Sequence, residues 1–149
     1  EEFLYMGEWH ALKIEKCKAI TVEDYLYFPE KHLPRARIKM IAWYKQKALE
    51  MITERVAMYS AMTGWRFTSL SITSAQKRWG SCGHRGALHF SWRLIMAPRH
   101  IIDYVVVHEL AHIPERNHSP RFWNKVRAVL PDYKERKQWL REHGAKCVL

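Results

Sequence analysis

The sequence lacks both a cysteine framework and a long apolar run. Its 149 residues include three cysteines without paired spacing, namely Cys17, Cys82 and Cys147. That pattern argues against a disulfide scaffold and predicts a reducing, cytoplasmic environment. The longest apolar segment, residues 101–110, is interrupted by ionisable side chains and is shorter than the ~18–20 residues that cross a bilayer. We therefore expect no membrane-spanning segment and no membrane partner, and no signal peptide is recognisable.

Acidic residues are scarce as well. The chain has 25 Lys and Arg against 15 Asp and Glu, a formal net charge of +10, and no acidic residue lies between Arg55 and Ile102. A surplus of this size predicts an anionic partner, either nucleic acid or an acidic protein or peptide substrate. The alternative is a solvated surface that happens to be basic.

The remaining composition is that of a folded domain, because 48% of the residues are apolar and 13% are aromatic. Alternating and helical apolar patterns predict an α+β fold, with an N-terminal β-hairpin and strand region at residues 1–33 and a main domain at residues 34–149. In the main domain we expect a small antiparallel or mixed sheet. The predicted helices span residues 35–62, 98–113, 120–130 and 131–143.

The first predicted helix, at residues 35–62, is long enough to back the rest of the domain. Its apolar residues recur at helical spacing and are expected to face the core. They are Ile38, Ile41, Leu49, Ile52, Val56 and Tyr59. Gly64 is expected to end the helix. Further along the chain, Leu88, Phe90 and Trp92 alternate with polar residues, which predicts a half-buried strand.

The string His108-Glu109-Leu110-Ala111-His112 carries the clearest chemistry in the sequence. Two histidines four positions apart lie one turn apart on a helix, so their imidazoles can hold one metal ion. Glu109 lies on an adjacent face, where it can act as the general base on a zinc-bound water. The surrounding helix is otherwise apolar, and burying these ionisable groups without a metal would be unfavourable.

A catalytic zinc site needs a third protein ligand, and we predict His118. Pro114 is expected to end the helix soon after His112, and a turn then returns His118 toward the ion. Glu115 and Glu135 are alternative third ligands. With one zinc ion per chain, the expected reaction is hydrolysis of a peptide or amide bond. A structural histidine cluster without metal is the alternative.

Several strings together resemble the YgjP-like predicted metal-dependent hydrolases. They are Arg78–Cys82, Leu88–Leu94, Ala97–Pro98, Ile102–His112 and Asn117–Trp123. The resemblance is strong over residues 65–143. It implies a zincin-like metallopeptidase fold, related to SprT-like proteins, with a long N-terminal backing helix and an HExxH active-site helix. The metal ligands and base of the family then fall on the three histidines and on Glu109.

The same resemblance implies that an edge strand beside the zinc helix binds extended substrate by strand addition. We predict that Gly86–Ser91 is this edge and that His84, Arg85 and His89 line the cleft. Cys82, in the preceding turn, is expected to be a structural thiol. A redox switch or a metal ligand is the alternative role for it.

Three functions are compatible with these patterns. The first is a zinc metallopeptidase that acts on protein or peptide substrates. The second is a SprT-like protease associated with DNA or other nucleic acid, which the basic surface favours. The third is a non-catalytic binding module that a metal ion stabilises.

Overall fold

The computed structural model describes residues 1–149. Its strands are β1 Glu2–Tyr5, β2 Glu8–Glu15, β3 Thr21–Val22, β4 Leu26–Pro29, β5 Ser69–Thr73, β6 Gly80–Cys82 and β7 Ala87–Ser91. Its α-helices are α1 Ala36–Thr63, α2 Arg99–Ala111, α3 Pro120–Val129 and α4 Tyr133–His143. The elements follow the predicted order, and the helices begin and end within two residues of the predicted positions.

Helix α1 backs the domain with a face whose buried apolar residues recur about every fourth position. They are Met40, Tyr44, Ala48, Ile52, Val56 and Tyr59. The helix ends at Gly64, whose φ of 79° lies in the left-handed region and whose N–H donates to the Ser60 carbonyl oxygen. The prediction that Ile38 and Leu49 face the core is wrong, since they are 58% and 41% exposed. Because successive residues of a helix are rotated by about 100°, both side chains lie on a different face from the buried residues of α1.

The strands form two sheets, one of order β1-β2-β4-β3 and one of order β5-β7-β6. In the second sheet β5 is parallel to β7 and β6 is antiparallel to it, so the sheet is mixed. The prediction that Gly86–Ser91 is the edge strand is wrong, because β7 lies in the centre. Leu88 and Phe90 are fully buried. The alternation of apolar and polar residues indicates that one face of the strand lies in the core, but it does not indicate how many strands pair with it.

Helix α2 lies inside a cluster of 29 buried apolar residues. Ten of its 13 residues are buried, which is the environment that a helix with apolar residues around most of its circumference requires. Leu4, Leu26 and Phe28 of the first sheet belong to the same cluster. No helix of the chain is both long enough and apolar enough to cross a membrane.

The tip of the β1–β2 hairpin is fixed against the segment that leads into α2. The Met6 and Gly7 N–H groups donate to the carbonyl oxygens of Ile95 and Met96 over 2.9 and 2.8 Å. Gly7 has a φ of 84°, and a Cβ at this position would lie 2.6 Å from Pro98 Cγ. Both facts require glycine here, so the hairpin tip braces the start of the helix that carries the histidines.

A buried ion pair joins α1 to α2. Arg55 Nε and Nη2 donate to the two carboxylate oxygens of Asp103 over 2.7 and 2.8 Å. The Tyr59 hydroxyl donates to the same carboxylate over 3.0 Å. Arg55 and Asp103 are each only 6% exposed. This bidentate contact fixes the position of α2 along α1 a little over one turn before His108.

Candidate metal centre

Helix α2 positions two of the predicted metal ligands, and the loop after it positions the third. His108 and His112 lie one turn apart on the same side of the helix. The helix ends just before His112, close to Pro114, and the chain returns His118 to the site directly before α3. Ser119 fixes this return because its hydroxyl caps α3 by accepting a backbone N–H.

The three imidazoles point their Nε2 atoms at one another. His118 Nε2 lies 3.0 Å from His112 Nε2 and 3.2 Å from His108 Nε2, and the three ligand atoms lie within 4.8 Å of one another. Nitrogens bound tetrahedrally to zinc at ~2.0–2.1 Å are about 3.3 Å apart. The spacing of these residues therefore fits a single metal ion.

Hydrogen bonds on the far side of two rings orient them toward this centre. His112 Nδ1 lies 3.0 Å from the Glu115 carbonyl oxygen, which can only accept, so the proton is on Nδ1 and the Nε2 lone pair faces the other imidazoles. Tyr104 Oη lies 3.4 Å from His108 Nδ1. Burial, together with the other two histidines, lowers the pKa of His108 to about 3. A neutral imidazole is the form that binds a metal, so the donor set fits the group.

Aromatic residues of α3 pack against the ligand rings. Phe122 stacks on His112 with ring centroids 4.4 Å apart, and Trp123 stacks on His118 at 5.9 Å. Phe122 is fully buried, but Trp123 is only partly so, and both restrict the orientation of an imidazole.

Glu109 is held beside the histidines and is not one of the grouped ligands. Its side chain is 7% exposed, and burial raises the pKa of Glu109 to about 7, with Arg78 opposing the shift. A Cβ on Gly80 would lie 3.0 Å from Glu109 Cγ, so strand β6 passes directly over the carboxylate side chain. The arrangement places a group that can accept a proton between a metal-binding cluster and a sheet edge.

A family model described as YgjP-like, metallopeptidase domain, matches residues 1–143. The chain belongs to this family. The metallopeptidase zymogen of Pyrococcus abyssi abylysin, a crystal structure, is similar to this YgjP-like chain with a TM-score of 0.55 and 18% sequence identity. The similarity covers 61% of this chain and 93% of that one. No curated protein matches the YgjP-like chain.

These findings confirm three of the predictions. The YgjP-like resemblance is confirmed by the family match, and with it the prediction of a metal-dependent peptidase, which is a hydrolytic enzyme. The predicted α+β, zincin-like metallopeptidase fold is confirmed by the elements of the structure and by the similarity to the zymogen. The three-histidine group is compatible with the divalent ion that such a peptidase uses.

The two acidic alternatives for the third ligand lie outside the histidine group of this YgjP-like chain. The Glu115 carboxylate accepts a hydrogen bond from Lys125 Nζ over 3.1 Å, and only its backbone oxygen reaches the site. Glu135 is exposed on α4. Cys82 is also absent from the group; burial raises its pKa and its thiol lies 3.5 Å from the Gly83 carbonyl oxygen.

The predicted cleft residues are distributed over two places. His84 and Arg85 are exposed at the tip of the turn between β6 and β7. Arg116 Nη1 donates to the Gly83 carbonyl oxygen over 2.8 Å, which ties this turn to the loop that carries His118.

The prediction that His89 lines the cleft is wrong. His89 contacts the Ser71 hydroxyl at 2.6 Å on the face of the sheet opposite Phe90. A Cβ on Gly80 would contact both Phe90 and Glu109, so Glu109 lies on the Phe90 side. Because side chains alternate between faces, His89 points away from the histidines.

Arg78 and Arg116 are neighbours of the site that the sequence reasoning did not single out. Arg78 acts electrostatically on Glu109, and Arg116 joins the His118 loop to the turn between β6 and β7. Arg78 opens the string Arg78–Cys82 that carries the family resemblance, so its position in that string was the available signal. No sequence pattern predicts the role of Arg116, because its partner is the backbone oxygen of Gly83, 33 residues away in the chain.

Replacing Gly80 with alanine is expected to lower activity about tenfold without releasing metal. The new Cβ would lie 3.0 Å from both Glu109 Cγ and Phe90 Cδ1 and 3.1 Å from the His89 carbonyl oxygen, so β6 and the side chains beneath it, Glu109 among them, must shift by a few tenths of an ångström. Gly83→Ala is the matched control, because its Cβ would have only ordinary contacts at 3.6 Å. Hydrolysis rates and metal content check this prediction, and equal activities in the two variants would contradict it.

Proposed function

We infer that this YgjP-like chain is a zinc-dependent peptidase in which His108, His112 and His118 hold the ion and Glu109 is the general base. The observation that carries this inference is the convergence of three imidazole Nε2 atoms, at 3.0 and 3.2 Å, beside a buried carboxylate. Three neutral imidazoles are a donor set that suits zinc and leaves a coordination position open.

Zinc bound to these residues would supply Lewis acidity, which polarises a carbonyl group and lowers the pKa of water to about 7. Glu109 accepts a proton from the attacking water and donates it to the leaving amine nitrogen. A pKa raised to about 7 by burial suits both steps, since the group is readily deprotonated and reprotonated near neutral pH. Tyr104 and the Glu115 carbonyl oxygen keep the imidazoles oriented while this occurs.

The edge of β6 is the surface that suits an extended peptide. Gly83 N–H donates to Ala87 and Ser91 N–H donates to Trp79, so residues 79, 81 and 83 turn their backbone groups toward β7. The N–H and carbonyl groups of Gly80 and Cys82 therefore point to the open side. A peptide that adds to this edge passes Glu109, whose Cγ lies close to Gly80.

Metal analysis tests the ligand assignment. We expect about one zinc ion per purified chain, and His118→Ala is expected to lose most of it because only two imidazoles remain. His89→Ala is the matched control, since it removes an imidazole from the other face of the adjacent sheet. Elemental analysis after dialysis provides the measurement. Stoichiometric zinc in His118→Ala would overturn the assignment.

Hydrolysis of an internally quenched peptide library tests the activity. The zinc-loaded chain is expected to cleave members of the library, chelation is expected to stop cleavage, and added zinc is expected to restore it. A zinc-loaded chain that cleaves no peptide would overturn the proposed activity.

A further inference from the structure

A positively charged cavity of about 520 Å³ lies beside the strand that passes over Glu109. Its walls come from α1, from the loop between β5 and β6, from the end of β7 and from the last residues of the chain. Four cationic side chains line it and no acidic side chain does. They are Arg37, Lys77, Arg78 and Arg93.

None of these four cations forms an ion pair with an acidic side chain. Arg93 Nη1 donates to the carbonyl oxygens of Ser74 and Ala75, each at 3.1 Å. Its guanidinium also lies 4.5 Å from the Trp92 ring centroid, so it is held in place without being neutralised. Arg37 and Arg93 line the same cavity, and burial together with the like charge of Arg37 lowers the pKa of Arg93.

Lys77 and Arg78 are exposed on the loop and make no side-chain hydrogen bond or ion pair. Arg37 Nη1 donates to a main-chain oxygen of Leu149 over 3.0 Å, so this cation already has a partner within the cavity. Lys77 and Arg78, beside the Arg93 guanidinium that no carboxylate neutralises, form a site for an anion, because an added negative charge relieves the repulsion among these cations.

The cavity lies at the start of β6, since Arg78 and Trp79 line it and directly precede Gly80. A smaller hollow of about 300 Å³ shares Ala75, Arg78 and Ser91 with it and lies on the His89 face of the sheet, where Thr73, Ser81 and His89 also line it. Gly80 adjoins Glu109. A peptide on the open edge of β6 that continues past Gly80 therefore meets Arg78 and Lys77 next.

We propose that this cavity binds the carboxylate side chains of an acidic segment of the substrate, a few residues from the bond that is cleaved. The proposal rests on the proposed peptidase function, and it names the substrate class as polypeptides with acidic residues on one side of the cleavage site. Arginine suits this role because its planar fork binds carboxylates through two hydrogen bonds.

An acidic peptide fits the geometry better than nucleic acid does. A duplex presents phosphates along an extended surface and is bound by cations spread over that surface. Here the cations surround one hollow that includes Arg78 and Trp79, which directly precede a strand whose open edge can pair with polypeptide backbone.

Peptide binding to the zinc-loaded Glu109→Gln chain tests the proposal, because this variant is expected to leave the peptide intact. The probes are a fluorescein-labelled peptide that contains four consecutive glutamates and the same peptide with glutamines, compared by fluorescence anisotropy. Adding Lys77→Gln and Arg78→Gln together is expected to weaken binding of the acidic peptide about tenfold, with little effect on the glutamine peptide. Lys45→Gln with Arg66→Gln removes the same charge from exposed sites outside the cavity and is expected to change affinity by less than about twofold.

Two outcomes would overturn the proposal. Equal weakening by the two double variants would mean that net charge alone attracts the acidic peptide. Tighter binding of a single-stranded oligonucleotide, lost in the Lys77 and Arg78 variant, would assign the cavity to nucleic acid. Because the assay needs no hydrolysis, its result stands apart from the peptidase test. Failure of wild-type chain to cleave any peptide would overturn the proposed function and leave the measured binding unaffected.

Discussion

Replacing Glu109 with glutamine is expected to reduce peptide hydrolysis about 10²–10⁴-fold while zinc stays bound. Glutamine has nearly the same shape but cannot accept the proton of the attacking water. Glu109 lies outside the three-histidine group, so metal content is expected to remain unchanged. Measured values of kcat/KM at matched zinc loading check both parts of the prediction.

Glu115→Gln is the control for this variant. It makes the same change three residues after His112, on a carboxylate that pairs with Lys125 and not with the metal-binding cluster. Its backbone oxygen, which orients His112, is preserved. We expect near wild-type rates. Loss of zinc from Glu109→Gln, or turnover equal to that of the control, would contradict the role of Glu109 as a base.

Replacing Asp103 with alanine is expected to lower the free energy of unfolding by about 3–5 kcal/mol. The change leaves the Arg55 guanidinium, which is 6% exposed, without its bidentate partner. Tyr59 also loses the acceptor of its hydroxyl. Urea unfolding followed by circular dichroism provides the measurement, with the shift of the midpoint at constant slope as the readout.

Two further variants test whether this destabilisation comes from leaving a buried charge without its partner. Asp132→Ala removes a carboxylate that pairs with Arg136 at 3.0 Å but is 49% exposed, and it is expected to cost less than about 1 kcal/mol. The double variant Arg55→Leu and Asp103→Leu is expected to recover much of the stability, because no charge is then left buried. If Asp103→Ala were no more destabilising than Asp132→Ala, the buried pair would not be holding the helices together.

The sequence predicts the local part of the metal centre because the spacing on a helix decides it. Two histidines four residues apart face the same side wherever the helix lies, and Pro114 limits how far that helix continues. His118 is ten residues from His108 in the chain, so a single turn can bring it back. These inferences need no knowledge of the rest of the fold.

The sheet was harder to predict because its strand order depends on pairing between distant residues. The segment between β5 and β7 forms β6 on the far side of β7, which makes β7 central and moves the open edge to Gly80–Cys82. The alternation of apolar residues is the same for a central strand and an edge strand. His89 was placed in the cleft for this reason, although it lies on the other face.

The sequence pattern around Arg55 and Asp103 also does not predict that these two residues form an ion pair. The two residues are separated by 48 positions, and in the sequence Asp103 is visible only as a charge within an apolar segment. An unpaired carboxylate there is costly, so the sequence requires a partner. Which of the many cations supplies it is settled by how α1 and α2 pack.

The contact of the β1–β2 hairpin tip with Ile95, Met96 and Pro98 bears on how the chain folds during synthesis. It joins segments roughly ninety residues apart, and such contacts slow folding because a large loop must close first. At ~5–20 residues per second, the hairpin is synthesised several seconds before the segment that completes its packing. That same segment leads directly into the histidine helix. The hairpin tip can therefore brace the histidine helix only after both segments have been synthesised, and the metal-binding cluster follows the hairpin in the order of synthesis.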